Sequence, residues 1–218
     1  MDNFDFSDIA NVAKVKIVQQ KTIITKNKKM EKQYNPDGFI PKHGGYEKLI
    51  TYQKAVIIYD GTQYFCKKYF RPFDRTIDQM VQAARSGKQN IIEGSMASGT
   101  SKETEIKLTN VARASLQELL EDYKDFLRNH NLKQWDKTNP YYPHLTKLLT
   151  TRNATYSTYQ KGIESPDPEV SANVLIGLVN ITTYLLANQI KTLEKEFLKE
   201  GGLRERMSRA RITMRKNQ

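Results

Sequence analysis

The sequence predicts an all-α protein: an antiparallel up-down-up-down four-helix bundle with an N-terminal extension and a basic C-terminal tail. Three observations lead there. Apolar residues recur at spacings of three and four in four long stretches, which is the period of one helix face. Proline and paired glycines fall between those stretches, where helices end. Charge is close to balanced within residues 46–200, with 21 Lys/Arg against 18 Asp/Glu, and is in excess at the two ends. With 38% hydrophobic and 27% charged residues, the composition is that of an ordinary globular chain.

The organisation follows from these breaks. Residues 1–45 form an extension, acidic at first and then carrying seven lysines from Lys14 to Lys32 among β-branched residues. It could be a strand, a helix or disorder, because its periodicity fits none of them cleanly. The composition changes near Met30, so translation starting there is an alternative. Asn35, Pro36, Gly38, Pro41, Gly44 and Gly45 then make a loop.

Helix one is expected from Tyr46 to about Phe70, with Leu49, Tyr52, Val56, Tyr59, Gln63, Cys66 and Phe70 on one face and Pro72 ending it. Helix two spans about Arg75 to Met96, with Ile77, Met80, Val81, Ala84, Ile91 and Ile92 as its stripe. Thr100 with Glu103 fits a capping box, so helix three begins at about Ser101. Its stripe is Leu108, Val111, Ala112, Ser115, Leu119, Tyr123 and Phe126.

An insertion at about 132–167 holds Trp135, Tyr141 and Tyr142 and one short helix around His144 to Arg152. Helix four runs from about Pro168 to Lys199 through Val174, Leu178, Ile181, Leu185, Leu193 and Phe197. Gly201 and Gly202 stop it. The domains are thus 1–45, 46–200 and 201–218.

Cys66 is the one cysteine. It excludes an intrachain disulfide and reads as a small apolar residue on a buried face. No window reaches eighteen uninterrupted apolar residues, and MDNFDFSDIA is acidic where a secretory signal is basic and then apolar. The expected location is the cytoplasm.

Catalytic patterns are thin. His43, His130 and His144 have no second histidine at metal-ligand spacing, and the sequence has no Gly-rich phosphate loop and no nucleophile elbow. Glu118, Glu121, Asp122 and Asp125 lie at spacings of three and four, as a solvated helix face or as the carboxylates of a metal-dependent nuclease. The expectation is no enzymatic activity, no metal and no cofactor.

The net charge of +11 points to a polyanionic partner. Residues 201–218 carry Arg204, Arg206, Arg209, Arg211, Arg215 and Lys216 against Glu205. Few bulky apolar residues flank these arginines, which weighs against a membrane-surface role. Within the bundle the unusual stretch is DQMVQAARSGKQNIIEG, residues 78–94. Extending its stripe from Ala84 lands on Lys88. Two readings stand: Lys88 pairs with a buried carboxylate such as Glu93 or Glu118, or Arg85 and Lys88 project into an anion-binding surface. Trp135, Tyr141 and Tyr142 likewise either buttress the insertion or stack on bases.

The run QMVQAARSGKQNIIEG followed by SGTSKETEIKLTNVARASLQELLEDYKDFLR resembles the bacterial four-helix-bundle proteins of the 23S rRNA intervening-sequence type. The branch it looks most like is the four helix bundle suffix proteins. Asn90, Ile91, Ile92, Glu93 and Gly94 match the family's Asn-Ile-Ala-Glu-Gly-like close of helix two. Ser115, Glu118 and Leu119 match its Ser-x-x-Glu-Leu pattern. The resemblance covers about residues 39–211.

It implies an all-helical protein that assembles as a homo-oligomer, commonly a ring-shaped homopentamer, without catalytic activity. A related protein, the accessory variability determinant of diversity-generating retroelements, is a basic pentamer that binds nucleic acid and a reverse transcriptase. This chain departs from the compact members in its extension, its insertion and its tail.

The expected function is therefore a nucleic-acid-binding accessory protein, with RNA favoured over DNA. Binding would work by phosphate neutralisation through Arg85, Lys88, Arg204, Arg206, Arg209 and Arg211. The alternative is a protein-interaction scaffold whose basic ends keep it soluble or dock an acidic partner.

Overall fold

The computed structural model describes Ile40, residues 43–151 and residues 153–216. The lysine-rich stretch from Lys14 to Lys32 and the alternative start at Met30 lie outside the described residues. A 3-10 turn at Tyr46–Lys48 leads into α1 (Ile50–Tyr69), followed by α2 (Arg75–Ala97), α3 (Lys102–Asn129) and α4 (Tyr142–Leu149). Next come α5 (Tyr156–Ile163), α6 (Pro168–Glu200) and α7 (Leu203–Lys216). The chain is all-helical, with no strand among the described residues.

The long helices pack α1 on α2, α2 on α3, α3 on α6 and α6 on α1, which is consistent with a helix bundle. The insertion contributes two short helices where the sequence predicted one. Helix α4 packs on α6, and α5 packs on both α6 and α1.

Helix α6 organises the core. Every residue from Ser171 to Thr182 is buried, so this stretch has no solvent face. Among the described residues it is the one helix long and apolar enough to cross a membrane, and 72% of its apolar window is buried against the rest of the molecule. Covering it on all sides needs close approach, which small residues permit. A Cβ on Gly61 of α1 would lie 2.7 Å from the Leu175 side chain. One on Gly162 of α5 would lie 2.8 Å from Val174, and one on Gly177 of α6 would lie 3.0 Å from Leu149 of α4.

The buried face of α1 is rotated from the predicted one. It consists of Thr51, Lys54, Ala55, Ile58, Thr62, Phe65 and Cys66, with Ile57 and Gly61 beside them. Tyr52, Val56 and Tyr59 are only partly covered, and Gln63 is exposed. The stripe was misplaced because the true face includes polar residues, each satisfied internally. Lys54 Nζ donates to Leu149 O at 3.1 Å and to Tyr159 Oη at 3.3 Å. The Thr62 hydroxyl pairs with Tyr123 Oη at 2.9 Å. Below them Phe65 meets Tyr69, Phe70, Tyr123 and Phe126 in an aromatic cluster. Cys66 is buried as expected, and burial pushes its thiol up to about 12.

Three further expectations need correction. Helix α3 is capped by Ser101, not Thr100: the Ser101 hydroxyl accepts from Thr104 N at 3.1 Å. Val111 is 44% exposed instead of lying in the core. The stripe of α2 runs from Ala84 to Gly87, not Lys88, because a residue without a side chain lets Leu116 of α3 fill the position.

Two outcomes follow. Gly87→Ala places a methyl 2.7 Å from Leu116 Cδ2. Overpacking costs about 1–3 kcal/mol and alanine gains roughly 0.5–1 kcal/mol over glycine in a helix, so a denaturant melt should show a net loss of up to about 2 kcal/mol; a midpoint raised by the full helix gain would refute the close approach.

Lys54 provides the second. Burial lowers its ammonium from an ordinary 10.5 to about 8. Below pH 8 folded and unfolded chains both carry the charge, and folding bears the whole burial cost, on the order of 3 kcal/mol. Between about 8 and 10.5 the folded chain loses the proton first, so this contribution rises with pH. Cys66 works the opposite way above its ordinary 9.0, because the unfolded thiol ionises there. The wild-type stability minus that of Lys54→Met, followed across pH 7–11, should therefore climb through this window.

Candidate nucleic-acid interface

Residues 201–218, read from sequence as a tail, contain a helix. Glycine at 201, with φ 70°, ends α6. Glu205 Oε2 then accepts from Gly202 N at 2.9 Å and ties down the start of α7. On this helix the tail's arginines fall into two groups.

Arg206, partly buried, and Arg209, exposed, both reach back toward the body. Arg206 Nη2 donates to Gly99 O at 3.0 Å, in the turn between α2 and α3, and its Nε is buried. Arg209 Nη2 donates to Glu200 O at 2.6 Å, satisfying one of the last carbonyls of α6. Around this docking point Lys102 Nζ lies 2.8 Å from Glu105 Oε2 and 3.6 Å from Glu196 Oε2. The ring of His43 packs against Gly99.

Arg204, Arg211 and Arg215 are exposed, and no ion pair among the described residues holds them. Spacings of seven and four put these three on one face.

The two bundle residues are not brought to this face as a pair. Arg85 is exposed on α2. Lys88 is partly buried, its Nζ 3.9 Å from the centroid of the Tyr59 ring, a cation–π contact. Neither Glu93 nor Glu118 pairs with it among the described residues. Its charge acts instead on Asp60, whose carboxyl is pushed up by burial and drawn down by Lys88.

Asn90, Gly94 and Ser115 lie at the α2–α3 seam. Asn90 Nδ2 donates to Ser86 O at 2.9 Å, and the Ser86 hydroxyl pairs with Ser115 at 2.9 Å. A Cβ on Gly94 would sit 3.4 Å from both Glu105 O and Leu108 Cβ. Beside the seam Gln79, Gln82, Ser86, Ser115, Glu118 and Asp122 line a groove. Burial, and then the charges of Asp125 and Glu118, push the Asp122 carboxyl up. That crowding of negative charge makes the groove a poor place for a phosphate.

Of the other carboxylates, Glu121 pairs with Lys124 at 2.9 Å and Asp125 with Arg128 at 2.8 Å on their own helix. Among the described residues no group of three metal-ligating side chains converges. His130 stacks on Phe126 at 4.2 Å between ring centroids, and its Nδ1 lies 2.8 Å from Phe126 O.

Trp135 is buried, and Nε1 donates to Glu169 Oε1 at 3.0 Å. Tyr141 is 62% exposed and stacks on it at 5.4 Å. Trp135 thus buttresses the insertion, while Tyr141 offers a ring face to solvent. Sequence reasoning missed the split of the tail into two arginine faces. The seven-residue spacing of Arg204 and Arg211 was the available signal, and it has meaning only once the segment is known to be helical.

Removing the inward contact should loosen α7 without disturbing the core. In Arg206→Ala the amides of 203–216 are expected to exchange with deuterium faster than in wild type, with α1–α3 unchanged; equal protection in both proteins would mean that Gly99 O is not an anchor. Comparison with family models, with curated proteins and with solved structures finds no match to this chain.

Proposed function

We propose that this chain is a non-enzymatic nucleic-acid-binding accessory protein, favouring RNA, of the 23S rRNA intervening-sequence type, working in the cytoplasm as a homo-oligomer. Its core in this reading is an antiparallel up-down-up-down bundle. Pairings between opposite helix ends support that topology. Gly44 N donates to Ser95 O, and Cys66 lies against Met80, for α1 and α2. Gly94 against Leu108 and Ser86 with Ser115 do the same for α2 and α3, as Lys102 with Glu196 does for α3 and α6. Thr51 with Gln189 and Gly61 against Leu175 join α1 to α6.

The observation that carries the binding reading is the exposed arginine face of α7, set on a body whose own charges nearly cancel. Such an arrangement attracts a polyanion through phosphate contacts that are indifferent to base sequence. A ring of copies multiplies the per-chain excess, and a protein partner such as a reverse transcriptase fits the accessory role.

The test is fluorescence anisotropy of a structured RNA with the purified protein across a salt series, with duplex DNA in parallel and a light-scattering mass on the same sample. Log affinity is expected to fall linearly with log salt. A chain lacking 201–218 should keep its helical circular dichroism and lose most of that affinity. Absence of RNA binding by the full chain at low salt would leave the scaffold reading in its place.

A further inference from the structure

We infer that α7 meets the nucleic acid as a preformed rail, with Arg204, Arg211 and Arg215 contacting phosphates and Arg206 and Arg209 serving as positioning residues that hold the rail to the body. This rests on the nucleic-acid reading above and divides the tail's arginines by task.

The division follows from helix geometry. At 3.6 residues per turn, Arg204, Arg211 and Arg215 lie within a narrow sector, and Arg206 and Arg209 lie on the opposite side. Arg206, partly buried, and Arg209, exposed, already spend guanidinium donors on Gly99 O and Glu200 O. The outward three are exposed with their forks free of carboxylates among the described residues. The helix's acidic residue, Glu205, is a quarter-turn from the rail and is held by Gly202 N.

From Arg204 to Arg215 the rail is about 16 Å long, at 1.5 Å per residue. Because the helix is formed before the ligand arrives, its backbone loses little freedom on binding, and only the arginine side chains remain to be ordered. A helix does not enter the deep, narrow major groove of A-form RNA. The rail therefore lies along a backbone, which makes recognition independent of sequence.

A second stripe bears on the choice of partner. Leu203 and Ala210 are partly covered, and Met207 and Met214 are 41% and 44% exposed. With no aromatic residue on α7, Leu203 partly covered and Ile212, 50% exposed, on the other side of the arginine face, two methionines make a weak membrane face. The observations favour RNA.

The test uses three full-length proteins: wild type, Arg204→Gln/Arg211→Gln/Arg215→Gln, and Arg206→Gln/Arg209→Gln. Each is titrated against an RNA with single-stranded loops over a salt series, with circular dichroism as the fold check. A single-strand phosphate contact adds roughly 0.7 to the log–log slope, so losing three should flatten it by about 2 per engaged chain. The Arg206/Arg209 variant should bind more weakly with the wild-type slope, because it loses orientation and no phosphate contact.

An unchanged slope in the triple variant, or an equal flattening in the Arg206/Arg209 variant, would overturn the division while leaving the nucleic-acid reading intact. Wild type that binds no RNA would overturn both. Tighter association with phosphatidylserine-containing vesicles than with RNA at equal ionic strength, lost in Met207→Ser/Met214→Ser, would overturn it in favour of a membrane surface.

Discussion

The middle of α6, from Ser171 to Thr182, offers water no polar face, and the rest of the molecule is arranged to cover it. A helix that is apolar all round must be enclosed on every side. Helices α1 and α3 enclose two flanks, and α4 and α5 lie over what they leave open. The insertion at 132–167 is therefore structural cladding. Its polar links to α6 include Glu169, which accepts from Lys133 N and Trp135 Nε1, and Asn173, whose Oδ1 accepts from Trp135 N at 2.7 Å while Nδ2 donates to Lys133 O and Glu169 O. Satisfied polar groups near the start of α6 thus anchor the insertion to a helix whose buried stretch is mostly hydrocarbon.

The same demand for close packing explains which polar residues are buried. Lys54 extends from α1 to the last carbonyl of α4 and the phenol of α5, joining three elements at one ammonium. That is an expensive way to satisfy a carbonyl, because the charge leaves water without an opposite charge beside it. Thr62 with Tyr123 and Ser86 with Ser115 are cheaper versions, in which neutral hydroxyls pair across helix seams. Each of these contacts selects one register of the helices, since a shift of one residue would strand a buried polar group.

With the core so enclosed, charge is left to the periphery and sorts into unlike surfaces. The α2–α3 groove collects Glu118 and Asp122 under mutual repulsion, with Asp125 adding to it. The arginine face of α7 stands apart from it. An anionic ligand experiences opposite fields at these two places, so the surface has a direction even though the body's net charge is small.

The sequence by itself determined the helical class, the approximate bounds of the four long helices and the excess of arginine after Gly201. These depend on local period, helix-ending glycines and composition, which neighbours along the chain specify. Only the tertiary structure decided which face of α1 is buried. Lys54 and Thr62 look like solvent residues until Leu149 and Tyr123 arrive from distant parts of the chain to satisfy them. It also decided that Gly87 and not Lys88 continues the stripe of α2, since Leu116 fills that space from α3. The second insertion helix and the folding of the tail belong to the same class. Short helices are marginal alone and persist through packing, so α5 depends on α6, and α7 takes its long-range hold from the Gly99 carbonyl. Such contacts join residues far apart in sequence, and no local pattern encodes them.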